Sequence, residues 1–154
     1  NIDNWEAMIN TNIKGLLYMS RMVTPGMVER KKGHIVNLGS VAGTQAYSGG
    51  GAYCATKAAV DSLTRSMRLD LYKHNIKVSS ISPGHVDNKA ISSDSDDNKS
   101  NIYSDFKPLS VFDIAETVYY VVTRPAHVNI QDVLIFGTQQ ASATDINRNG
   151  RKNH

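Results

Sequence analysis

The chain has 154 residues, 17 Lys+Arg against 14 Asp+Glu, a formal charge of +3, 40% hydrophobic and 20% charged residues, the proportions of a globular chain long enough for one core. No apolar run approaches the roughly 20 residues that span a bilayer, and the opening Asn1-Ile2-Asp3-Asn4-Trp5-Glu6 is polar and acidic, unlike a signal peptide. The single cysteine, Cys54, excludes an internal disulfide and a cysteine-rich metal site; it fits a reducing, cytoplasmic setting. The densest basic run, Arg30-Lys31-Lys32, has no interleaved aromatics and reads as a solvated helix end. A nucleic-acid footprint needs a broader basic face, so neither nucleic acid nor membrane is expected as a partner.

Trp5, Met8, Ile9, Ile13, Leu16 and Leu17 recur at helical spacing and predict a helix over residues 3–29, with Pro25-Gly26 loosening its end. Asn12 shares a side with Met8, Ile9 and Leu16. A buried amide there needs partners, which nearby backbone would supply in a purely structural role. After a turn at Gly33, His34-Ile35-Val36-Asn37-Leu38 is short, apolar and β-branched, and predicts a buried strand. Gly39-Ser40-Val41-Ala42-Gly43 leaves its carboxyl end, where open α/β sheets bind ligands. A serine hydroxyl at that place can donate to a substrate oxygen or merely cap a turn. The setting G-S-V-A-G is not the G-x-S-x-G elbow of acyl transfer. Residues 44–51 form a loop. Its Gly49-Gly50-Gly51 lacks the spacing of a phosphate-binding turn and is expected to line a substrate pocket.

Residues 52–74 predict a second helix, striped by Val60, Leu63, Met67 and Leu71 and slim elsewhere at Ala55, Ala58, Ala59 and Ser62. Tyr53 and Lys57 stand at its head, four apart and so on one face. A free tyrosine has a pKa of about 10 and is a poor base at neutral pH. A nearby positive charge favours the phenolate, and a tyrosine tuned in this way can exchange a proton with a substrate oxygen. Residues 76–81 predict a strand, which Pro83 stops and after which Gly84 lets the backbone approach a ligand. Residues 92–104 are polar and read as a lid. Asp94, Asp96 and Asn98 start like a calcium loop, but Lys99 and Asp105 break the pattern, so no metal is expected. Asn98-Lys99-Ser100 is a glycosylation sequon without any sign of secretion. Ser110 and Asp113 form a capping pair for a helix whose apolar face is Ile114, Val118, Val121 and Val122. His127, between Pro125 and the strand at residues 133–136, reads as a packing or hydrogen-bonding residue. Residues 142–154 form a polar tail that reads as mobile.

Four motifs in order are Asn10-Thr11-Asn12-Ile13-Lys14-Gly15, the run ending in Gly39-Ser40, Tyr53-x-x-x-Lys57 and Pro83-Gly84-His85-Val86. Together they resemble the short-chain dehydrogenase/reductase family over nearly the whole chain. The resemblance implies an α/β fold, a Rossmann-type doubly wound parallel sheet, and reversible hydride transfer between NADP (NAD not excluded) and a small-molecule secondary alcohol or its ketone. It implies that Tyr53 exchanges the hydroxyl proton and that Lys57 favours the phenolate and holds the nicotinamide ribose. It implies that Ser40 positions and polarises the substrate oxygen, and that Asn12 helps hold a water linking Lys57 to solvent. Pro83, Gly84, His85 and Val86 would lie against the nicotinamide, with Asn88 where the family usually has threonine.

Three further stretches, D-I-A-E, R-P-A-H-V-N-I and T-Q-Q-A, are similar to the branch of NADP-dependent 3-hydroxy acid dehydrogenases acting on serine and allo-threonine. That branch usually runs its last strand into proline and threonine; here Gly137 precedes Thr138. A general carbonyl or 3-ketoacyl reductase shares the same tetrad. A non-enzymatic chain that only associates with other subunits is the rival from another class, since the slim helix around Ala58 and Ser62 is similar to the surfaces this family uses in dimers and tetramers. The family's T-G-x-x-x-G-x-G turn and N-N-A-G segment are not found in these residues. Residues 1–141 are therefore expected to be the C-terminal part of such a domain, a fragment without its first four strands and glycine-rich turn, followed by a tail at 142–154. A sheet of that kind leaves apolar faces and an edge uncovered, so the piece is expected to bind the dinucleotide poorly and to aggregate.

Overall fold

A computed structural model describes residues 1–87 and 105–148. Asn88, the acidic run with Asp94, Asp96 and Asn98, and the sequon lie outside the described residues. Three of the predicted apolar runs pair in parallel: β1 (Gly33–Leu38), β2 (Ile76–Pro83) and β5 (Asp132–Ile135), with β2 in the middle. Gly33 is level with Ile76 and Leu38 with Ile81 in one ladder. Ser80 is level with Asp132 and Pro83 with Ile135 in the other. A central parallel strand is covered on both faces, and Val78, Ser79 and Ile81 of β2 are all fully buried. Ile76 and Val78 join Leu71 in a core completed by Met27, Val28, Ile35 and Met67. On the opposite face, the Ser79 hydroxyl donates to the carbonyl of Ile130 at 2.6 Å. This is the Rossmann-type arrangement expected from the alternation of strands and helices.

The first predicted helix is built in three pieces: α1 (Ile2–Ile9), a π-helical stretch (Asn10–Gly15) and α2 (Leu16–Glu29). Widened turns of this kind occur often at functional sites. Pro25 does not loosen the end; it sits inside α2, which continues to Glu29. An interior proline costs a helix about 3 kcal/mol, and here the residues just beyond it, Met27 and Val28, are held in the core. Pro83 does end β2, but from inside it. It is the strand's last paired residue, and Gly84 carries on the ladder by donating to the Ile135 carbonyl at 2.8 Å. A proline lacks only the N–H, which the end of a strand can do without.

Helix α3 (Gly51–Leu71) and a tight turn (Tyr72–His74) lead to Asn75, whose φ of 58° turns the chain into β2. Asparagine tolerates that left-handed conformation. Two short strands, β3 (Val86–Asp87) and β4 (Leu109–Ser110), pair in parallel beside the main sheet. Ser110 then caps α4 (Val111–Val122) in a full capping box with Asp113, as its sequence predicts. His127 is exposed rather than packed; it lies in the surface connection between α4 and β5. Among the described residues, no helix is long and apolar enough to cross a membrane.

Candidate active site

Parallel strands bring their carboxyl ends to one edge of the sheet, and the chain leaves that edge in loops that can carry chemistry. Ser40 lies two residues past β1, Gly84 and His85 follow β2, and Tyr53 is in the first turn of α3. All four line one cleft of about 340 Å³. Ser40 is buried, and its Oγ accepts from the backbone N–H of Ala42 at 3.2 Å. That bond occupies a lone pair and leaves the hydroxyl proton to donate. The capping role and the substrate-facing role are thus compatible.

Lys57 lies behind Tyr53 rather than in the cleft wall. Its ammonium is 5.9 Å from the centre of the Tyr53 ring and donates to the carbonyl of Leu38, the last residue of β1, at 3.0 Å. The first distance is within cation–π range. Burial pushes the lysine below its ordinary pKa, and the negative charge of Asp61, one turn further along α3, pulls it back up. Asn12, in the π-helical stretch, donates its amide to Thr56 Oγ1 at 3.1 Å. Thr56 in turn donates to the carbonyl of Tyr53 at 2.8 Å. Asn12 is therefore tied to the Tyr53 helix by protein atoms, a bond that uses one of its two amide protons.

Of the turn expected to face a cofactor, Gly84 and His85 reach the cleft, whereas Pro83 belongs to β2 and Val86 to β3. The glycine also has a packing reason. A Cβ at Gly84 would collide with the Gln140 side chain and the Phe136 ring, so glycine here admits protein neighbours. Gln140 is buried; its Oε1 accepts from the backbone N–H of His85 at 2.9 Å, and its Nε2 lies 2.8 Å from His85 Nδ1. Gly49, Gly50 and Gly51 do not line the cleft; Tyr47 does, and a Cβ at Gly50 would collide with its ring. Burial raises the Tyr47 phenol above its ordinary pKa, reinforced by Cys54 and Tyr53, and so favours its protonated, donating form.

Residues 142–148 are not a loose tail. Gln140 bridges to Ile146 in antiparallel fashion, and the N–H of Ala143 donates to Gln45 Oε1 at 2.8 Å. Ala143 and Thr144 thereby complete the cleft wall. Sequence reasoning passed over Tyr47, Ala143 and Thr144, and touched Gln140 only as part of the T-Q-Q-A stretch. The one signal available was Tyr47 itself, a large aromatic in a glycine-rich loop just before Tyr53. Nothing local marks Thr144, which reaches the cleft only by folding back.

The parallel sheet, with a serine, a tyrosine and a lysine gathered at its carboxyl edge, defines a Rossmann-type α/β architecture with its cleft at that edge. The short chain dehydrogenase family profile matches residues 1–99, and the chain belongs to that family. It is 45% identical, over 146 residues, to the NADP-dependent 3-hydroxy acid dehydrogenase YdfG of Salmonella typhi, covering 92% of this chain and 59% of that one. Among solved structures it resembles a closed form of serine dehydrogenase complexed with NADP+, at TM-score 0.86 and 42% identity, covering 93% of this chain and 59% of that chain. It also resembles the serine dehydrogenase of Escherichia coli, at TM-score 0.78 and 40% identity over 92% of this chain and 56% of that chain. The chain thus spans less than two thirds of the length of these relatives.

Proposed function

We propose that this chain carries the substrate-side machinery of an NADP-dependent oxidoreductase acting on a 3-hydroxy acid such as serine or allo-threonine. The observation that supports it most is that Ser40 and Tyr53 share one cleft, with the Lys57 ammonium behind the tyrosine ring. In the oxidation direction the phenol oxygen of Tyr53 takes the proton of the substrate hydroxyl. The Ser40 hydroxyl donates to the same oxygen as charge develops on it. Lys57 spends one of its three ammonium protons on Leu38, which leaves donors for a ribose. Lys57 and Tyr53 would hold the nicotinamide end of a dinucleotide beside the Gly84–His85 turn, whose two backbone N–H groups are engaged by Ile135 and Gln140. When bound, the dinucleotide supplies or takes the hydride. Pro83 and Val86 hold that turn from their strands, and Asn88 belongs to the same proposed contact set by its place in the sequence.

The choice of a hydroxy acid draws on the names of the relatives. A homo-oligomer, dimer or tetramer, and a cytoplasmic location belong to the same proposal. Exposed Tyr18, Met19 and Met22 on α2 offer an apolar surface for a second subunit, and the free Cys54 suits a reducing compartment.

The test is calorimetric titration of NADPH into the purified chain, followed by NADP reduction with serine, allo-threonine and simple secondary alcohols. Saturable binding, with turnover of the hydroxy acids that Tyr53→Phe abolishes, supports the proposal. Turnover confined to plain carbonyls or 3-ketoacyl thioesters would move the assignment to a carbonyl reductase. A folded chain that neither binds nor reacts would remove the enzymatic reading for these 154 residues.

A further inference from the structure

We propose that Asp61 is a positioning residue that holds both Lys57 and the Ser40 turn in place, a role that rests on reading the cleft as an oxidoreductase site. Asp61 lies on α3 one turn after Lys57, on the same helical face. It is only 8% exposed, and carboxylates are almost never so buried unless paired. Among the described residues, the one hydrogen bond to its carboxylate comes from Ser80 Oγ, at 3.3 Å.

Its oxygens lie against the two glycines that bracket the Ser40 turn. A Cβ at Gly39 would come within 2.9 Å of Asp61 Oδ1, and one at Gly43 within 2.5 Å of Oδ2. Lys57 grips the residue just before that turn through the Leu38 carbonyl. Two opposite charges on consecutive turns of α3 therefore hold the turn, one at its entry and one beneath its two ends.

Burial works against both charges: it lowers Lys57 and raises Asp61, and each group partly reverses the shift of the other. Arg65 on α3 and Asp132 on β5 also act on Asp61, in opposite senses. A buried carboxylate held by a single hydrogen bond costs stability rather than adding it, so stability alone gives no reason for a carboxylate here. Its effect on Lys57 does. A half-buried lysine that must stay cationic beside a tyrosine gains from a fixed negative charge behind it.

The test is NMR on the full chain labelled with 13C, following Lys57 Cε against pH, with the resonance assigned by Lys57→Arg. The expected result is a lower Lys57 midpoint in Asp61→Asn than in the wild type, together with a shifted Ser40 amide. In the wild type, the Lys57 signal should also move while the Asp61 carboxyl titrates in acid. An unchanged Lys57 midpoint in a folded Asp61→Asn protein would overturn the role, even if turnover fell. Should that variant fail to fold, a wild-type Lys57 signal indifferent to the Asp61 titration would overturn it equally. Since neither readout needs turnover, failure of the oxidoreductase reading would be seen separately.

Discussion

The Asn12 side chain reaches across 44 residues to donate to Thr56 at 3.1 Å, and Thr56 passes the connection to the Tyr53 backbone at 2.8 Å. The π-helical stretch and the head of α3 are thereby fastened together directly behind the cleft. Replacing Asn12 by alanine removes one hydrogen bond to a nearly inaccessible hydroxyl. The expected loss is about 1 kcal/mol, read as a lower urea midpoint with an unchanged slope.

Arg68 and Asp132 separate a valuable contact from a decorative one. Arg68 donates to the Val78 carbonyl at 3.1 Å and the Gln131 carbonyl at 2.8 Å, binding α3 to β2 and to the chain entering β5. Its ion pair with Asp132 is 3.2 Å long, but Asp132 is 58% exposed. Arg68→Met should cost about 1.5–3 kcal/mol, since charged donors to the carbonyls of buried Val78 and of Gln131 are lost. Asp132→Asn should cost less than ~1 kcal/mol, because an exposed pair is worth little. Equal costs in denaturant titrations would contradict this division.

Gly43 is required by its neighbours. A Cβ there would come within 2.5 Å of Asp61 Oδ2 and 2.9 Å of the Lys57 carbonyl. Gly43→Ala is expected to destabilise the fold by roughly 1–3 kcal/mol, the usual penalty for overpacking. A neutral result in thermal or chemical unfolding would mean that α3 can withdraw from the turn.

His34 supplies a pH dependence of known sign. Its Nε2 is 2.7 Å from Ser79 Oγ, while Nδ1 is buried without a partner among the described residues. Burial, aided by the charge of Lys77, holds it below its ordinary pKa of 6.5. The unfolded chain therefore takes up the proton first. The stability contributed by neutral His34 is complete above 6.5 and is lost as the pH falls from there toward the lower folded value. Urea midpoints measured just above and below this window should drop in the wild type and drop less in His34→Gln.

Tyr53→Phe leaves the ring, and hence the stacking of the Lys57 ammonium against it, in place while deleting the phenol. If the proposed reaction holds, turnover should fall by about 10²–10⁴-fold, the range of a lost general acid or base. Circular dichroism and unfolding midpoint should be unchanged. Comparable turnover in the two proteins would take the proton transfer away from Tyr53.

By itself the sequence determined the local elements and part of the cleft lining. Apolar periodicity reports which face of a segment is buried, so the strands predicted at residues 34–38 and 76–81 and the helix carrying Tyr53 and Lys57 were legible, as was the Ser110–Asp113 cap. The spacing of Ser40, Tyr53 and Gly84-His85 relative to those elements then placed them at one sheet edge. Only the tertiary structure decided that Asn12 meets Thr56, that Asp61 lies under the Ser40 turn, and that Pro25 stays inside α2. It alone brought Tyr47, Ala143 and Thr144 to the cleft, and moved Pro83 and Val86 into strands. The reason is physical. Periodicity reports one element's own burial, whereas these contacts depend on which elements pack together, and a polar side chain carries no local mark of the distant partner that will satisfy it.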